Sequence, residues 1–158
     1  MTATEGSSNA WTCDVDTHDN DADGAVTFSI AFSDDADNAG TAVTATTDAS
    51  SVTIDNTHPT LTTVTLSSGN SDSDYADTGD TITLTYTASE QIQTPTCTFS
   101  SSGVSMTNSI TVTDASSNAW TCTITVHASD SEGAVAFSIA FSESAGKAGT
   151  DVTATTSL

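Results

Sequence analysis

The amino-acid sequence predicts an all-β chain built from sandwich repeats, and three observations carry that prediction. Apolar side chains alternate with Thr through successive segments, as Ile82, Leu84 and Tyr86 do against Thr81, Thr83, Thr85 and Thr87. A period of two puts one strand face in a core and the other in water. Turn clusters rich in Gly, Ser, Asn and Asp separate these segments, and no stretch carries a helical period. The third observation is a long internal repeat. Residues 7–13, 24–26 and 28–33 recur at 116–122, 133–135 and 137–142 with a constant offset of 109, and 27 of the 41 positions from 7 to 47 match their partners. A period of that length is a whole small domain, not a solenoid unit.

Within the complete period the strands follow in order. Leu61, Val64 and Leu66 mark the first; Ile82, Leu84 and Tyr86 the second; Cys97 and Phe99 the third. Ile110 and Val112 mark the fourth; Trp120, Cys122, Ile124 and Val126 the fifth; Val135, Phe137, Ile139 and Phe141 the sixth; Val152 and Ala154 the last. Turns are expected at 68–70, 77–80, 101–103, 131–133 and 145–149. About seven short strands in roughly 100 residues, with one Trp and one cysteine pair, read as an immunoglobulin-like Greek-key β-sandwich.

The repeat also divides the chain. Residues 1–49 read as the C-terminal part of one repeat, incomplete, and residues 50–158 as one full period with a linker at 48–60. Pro59 marks the beginning of the second unit, because proline breaks ladder pairing and stiffens the link. Residues 1–5 align with the strand sequence 110–114, so the chain is expected to start inside a repeat.

Charge narrows the partners. One cationic residue stands against 21 acidic ones, for a net charge of −20. Such a chain repels nucleic acid and anionic membranes. No apolar run is long enough to span a bilayer. Of the three cysteines, Cys13 and Cys122 occupy the same repeat position, and the partner of Cys97 would fall before residue 1. Cys97 and Cys122 are therefore expected to pair, with two buried thiols as the alternative, and Cys13 is left without a mate. A disulfide implies an oxidising, extracellular setting. Trp120 shares a strand face with Cys122, so the indole is expected beside the bridge. The bridge would join the third and fifth strands.

The segments 52–55 (VTID), 59–61 (PTL), 79–84 (GDTITL), 87–90 (TASE), 133–139 (GAVAFSI) and 148–156 resemble the tandem bacterial immunoglobulin-like repeats of large surface proteins. The likeness runs over essentially the whole chain. It implies an extracellular stalk, adhesin or cell-surface fibre that serves as scaffold and not as an enzyme. The cysteine pair is not general in that family.

One motif points to a cation. Asp19, Asp21 and Asp23, followed by Gly24, resemble the opening of a calcium loop, in which alternate carboxylates wrap a hard ion. The twelfth position is Ile30 where a helical calcium loop has Glu, and the second copy at 128–133 keeps only two acids. An acidic β-turn is the plainer reading. In a Greek-key sandwich these three aspartates could approach Asp48, Asp55 and Glu90 at a repeat junction, where a bound calcium would stiffen the stalk. His18, His58 and His127 have no second ligand at zinc spacing. No nucleophile–base pair, phosphate loop or cationic patch marks an active site. Two functions follow: a structural repeat of a surface fibre, or a subunit of an extracellular filament whose neighbouring copies complete each other by strand addition. A carbohydrate-binding module would need an aromatic platform, and only Tyr75 stands clear of the expected core.

Overall fold

The computed structural model describes residues 2–6 and 9–156, all as strands, turns and loops with no helix. The first two serines of the N-terminal motif copy, Ser7 and Ser8, lie outside the described residues. Contacts divide the chain into two compact units, Met1–Thr57 and His58–Leu158.

The first unit contains β1 (Thr2–Glu5), β2 (Trp11–Asp14), β3 (Gly24–Ala25) and β4 (Thr53–Ile54). β1 and β2 form an antiparallel hairpin. β4 pairs back onto β3, with Gly24 opposite Ile54, and the Val26 amide donates to the Val52 carbonyl. This pairing is why the first unit runs to Thr57: the segment 52–57 continues its edge.

The second unit contains β5 (Leu61–Ser68), β6 (Thr81–Ala88), β7 (Thr96–Ser101), β8 (Val104–Ser105), β9 (Thr111–Asp114), β10 (Ala119–Thr125) and β11 (Val135–Ala140). They form two antiparallel sheets, ordered β5-β6-β10-β9 and β11-β7-β8. The expected alternation holds in the strands that carry the core: Ile82, Leu84, Tyr86 and Ala88 on β6 and Trp120, Cys122 and Ile124 on β10 are buried. They share one apolar cluster with Cys97 and Phe99 of β7, Phe137 and Ile139 of β11, and Phe141. The two sheets thus face each other across a single core, a sandwich-like arrangement.

Local rules place the connections. Ser102 and Gly103 both take left-handed φ values, 51° and 78°, between β7 and β8. That is the two-residue hairpin turn whose twist matches the flanking strands. β8 was not evident from alternation, because it is two residues long and both are exposed. The expected last strand is reduced to an isolated bridge between Val152 and Ile139.

The first unit reproduces the hairpin and the isolated bridges of the C-terminal half of the second. Thr2 pairs with Asp14 and Glu5 with Trp11, as Thr111 pairs with Thr123 and Asp114 with Trp120. The bridges Ile30–Val43 and Ser33–Ala39 match Ile139–Val152 and Ser142–Ala148. Asn9 and Asn118 take the same left-handed φ, 61° and 63°, which Asn tolerates better than most residues.

Candidate functional site

The acidic turn begins as a local device. The His18 amide donates to Asp21 Oδ2 at 2.8 Å, and the Asp21 amide donates back to the His18 carbonyl. The second unit builds the same turn from His127 and Asp130. The shared acid of the two copies is therefore a turn residue, and the extra aspartates of the first copy set it apart.

Asp23 reaches outward from that turn. Its Oδ1 accepts from the Asn56 amide and its Oδ2 from Thr57 Oγ1, both at 2.6 Å. The Asn56 side chain donates to the carbonyls of Asp21 and His18 at 3.0 and 3.3 Å. Asp23 does meet the segment expected to approach it, and the groups that meet it there are hydrogen-bond donors. Asp55 Oδ1 accepts from the Thr57 amide at 3.2 Å, and Asp48 Oδ1 from the Ser50 amide at 3.0 Å. Asp19 lies in the same turn, and Glu90 belongs to the second unit. Among the described residues, no group of three or more His, Cys, Asp or Glu side chains is placed to hold a metal ion.

In the second unit Asp130 anchors the chain after β8. Its Oδ1 accepts from the Thr107 amide and hydroxyl at 2.9 and 2.8 Å. The turn at 130–135 borders a cleft of about 910 Å³ that also reaches Tyr75, Asp77 and Met106. The His127 ring that borders it lies 2.7 Å from Ser129 Oγ and accepts from the Ser129 amide at 3.2 Å, across a turn exposed to solvent.

Several of these carboxylates are held below the ordinary aspartate range. The backbone amide of His127 does most for Asp130, followed by the Thr107 hydroxyl. The side chain and then the backbone of Asn38 act on Asp34, those of Ser50 on Asp48, and the Asp77 amide followed by the Asn70 side chain on Asp80. A lowered folded pKa contributes stability that is complete above the unfolded value of about 3.9 and lost as pH falls through the folded value. The urea midpoint of the chain is therefore expected to hold at pH 5 and to fall progressively below about pH 4. Asp130→Asn should lower the midpoint at pH 5 and shrink the loss in acid. A midpoint that rises on acidification, as relief of self-repulsion alone would produce, contradicts this.

The core of the second unit holds the expected disulfide. Cys97 on β7 and Cys122 on β10 are joined, with Cα atoms 6.5 Å apart, so the bridge links the two sheets. Tyr86 completes this centre. Its hydroxyl lies 3.3 Å from Cys122 Sγ and 3.5 Å from Cys97 Sγ, and burial pushes the phenol pKa up. Its strand face was legible in the sequence; its contact with sulfur was not. A second buried polar group escaped sequence reading. The carboxylate of Glu143 is buried and accepts from the amides of Ala145 and Lys147, closing the turn after β11. Asp34 does the same in the first unit, accepting from Ala36 and Asn38. Within these two turns Gly146 and Asp37 share the left-handed position.

The most unusual surface is in the first unit. Trp11 is 63% exposed where its counterpart Trp120 is 7% exposed, and Ile30 is 47% exposed where Ile139 is fully buried. Phe28 stands 39% exposed against 7% for Phe137. Val15, Phe32 and Val43 are exposed as well, and Cys13 is an exposed free thiol. These apolar side chains stand in water where their counterparts in the second unit build a core.

Neither a protein-family model, nor a curated protein, nor a solved structure matches this chain.

Proposed function

We propose that the chain is a stretch of a tandem array of immunoglobulin-like sandwiches, acting as extracellular scaffold in a cell-surface fibre, stalk or adhesin. The observation that carries this reading is the recurrence of one half-sandwich at a 109-residue offset, with the same strand register, bridges and turn carboxylates in both copies. The larger core positions are kept, with Trp11, Cys13, Phe28, Ile30 and Phe32 matching Trp120, Cys122, Phe137, Ile139 and Phe141, while Val15 and Thr17 stand where the second copy has Ile124 and Val126. This is the pattern of a chain in which each copy must fold alike, and a catalytic site would need only one copy. The strand order β5-β6-β10-β9 facing β11-β7-β8, with Val152 bridging to β11, fits the immunoglobulin-like Greek key. The inter-sheet disulfide fits an oxidising compartment. The −20 charge suits an exposed surface that neither binds polyanions nor self-associates without specificity.

A second reading, a filament held together by strand complementation, is favoured by the open face of the first unit. Antibodies raised against the chain test the location. Labelling of intact, unpermeabilised source cells is expected, and labelling only after permeabilisation overturns the scaffold reading. The mass of the denatured, unreduced native material separates its two forms: one giant polypeptide for the array, many small separate subunits for the filament.

A further inference from the structure

The open face of the first unit has a known cover elsewhere in the same molecule. In the second unit the equivalent residues Trp120, Phe137, Ile139 and Phe141 are buried in one cluster with Val64, Leu84, Tyr86 and Phe99 from β5, β6 and β7. All of these covering residues lie between Pro59 and Met106. The cover also carries Cys97, the partner of Cys122. The equivalent of Cys122 in the first unit is Cys13, which is exposed and unbridged.

We infer that the apolar face of Met1–Thr57 is a docking surface for a half-repeat with the chemistry of residues 59–106, and that this partner bridges to Cys13 through its own cysteine. The partner brings strands of the β5–β7 type with inward Val, Ile, Leu, Tyr and Phe, and a cysteine in the register of Cys97. Bridging joins the two sulfurs in a new S–S bond. Two thiols lose two electrons and two protons, which a low-molecular-weight disulfide takes up as it is reduced to two thiols.

The second unit identifies this occupant. There the equivalent face is closed by Val64, Leu84, Tyr86 and Phe99, and the cysteine that bridges to it stands at position 97 of the same half.

The test adds the missing half. A copy of residues 50–109 is placed directly before Met1 of the full chain, which restores the 109-residue spacing, and the product is oxidised with glutathione disulfide. Peptide mapping is expected to find Cys13 joined to the cysteine of the added segment, with no titratable thiol left. Acrylamide quenching of Trp11, read in a Trp120→Phe background, should fall several-fold. The native Cys97–Cys122 bridge in the same product reports that the second unit has folded. The same segment supplied as a separate polypeptide to the full chain should give the same cross-link. Absence of the cross-link in both formats, with Trp11 still quenched, overturns the proposal. So does a Cys13–Cys13 dimer of the unmodified chain in which Trp11 is shielded, since a second copy would then be the occupant.

Discussion

Replacing Cys97 and Cys122 together by Ala is expected to destabilise the second unit by about 3.5 kcal/mol, the chain-entropy value for a loop of this size. The bridge spans 25 residues of sequence and connects two sheets that have no backbone hydrogen bonds to each other. It therefore limits how far the sheets separate in the unfolded ensemble. In a domain of about 100 residues this corresponds to a fall in thermal midpoint of roughly 14 °C or more. Tyr86 adds to the effect, since its buried hydroxyl has the two sulfurs as neighbours and the double variant leaves it facing methyl groups. Calorimetry of the full chain and the double variant checks this. The transition of the second unit should move, and Cys13 should keep the reactivity of an exposed thiol. An unchanged midpoint would show that apolar packing alone holds the sheets together.

The next largest effect separates the two copies of the repeat. Phe137→Ala is expected to cost the second unit about 3–5 kcal/mol, the usual range for emptying a buried phenylalanine site. Phe28→Ala, the same change at the same repeat position, should cost about 1–2 kcal/mol, because the ring is 39% exposed and its loss leaves no closed cavity. Phe137 sits opposite Phe99 in the β11–β7 ladder, while the segment around Phe28 has no such neighbour strand. Urea unfolding of both variants measures the difference. Equal costs would mean that the face of the first unit is covered in solution.

Much of this architecture is legible in the sequence because it is written in local patterns. Six of the strands of the complete repeat announce themselves by alternation, and Cys97–Cys122 follows from comparing the two copies. What stayed hidden depends on residues far apart. Val52 and Ile54 read as the approach to the next unit, yet β4 pairs with β3 about 30 positions earlier in the chain. Nothing local to a short strand states its partner. Likewise the carboxylate of Asp23 looks like a cation ligand from its spacing alone, and its partners Asn56 and Thr57 lie 33 and 34 residues away. Glu143 was passed over because a charged residue at a strand end ordinarily faces water; here two amides of its own turn replace that water. Alternation places Trp11, Phe28 and Phe32 in a core with only Tyr75 outside it, and the structure corrects this: all three are exposed, because the first unit has no strands of the β5–β7 type over them. The repeat arithmetic shows a cysteine without a mate, and the structure adds that the whole apolar face goes with it.

The central claim is that one half-sandwich occurs twice, covered in the second unit and open in the first. Each unit has a single tryptophan at the same position of the repeat, so the molecule carries its own pair of probes. The direct measurement is acrylamide quenching of Trp120→Phe and Trp11→Phe chains; the quencher is neutral and so indifferent to the −20 charge. The Trp120→Phe chain, reporting Trp11, should emit at long wavelength and quench almost as freely as an unfolded peptide. The Trp11→Phe chain, reporting Trp120, should emit to the blue and resist quenching until it is denatured. Two tryptophans that quench alike in the native chain, whether both shielded or both open, would contradict the account.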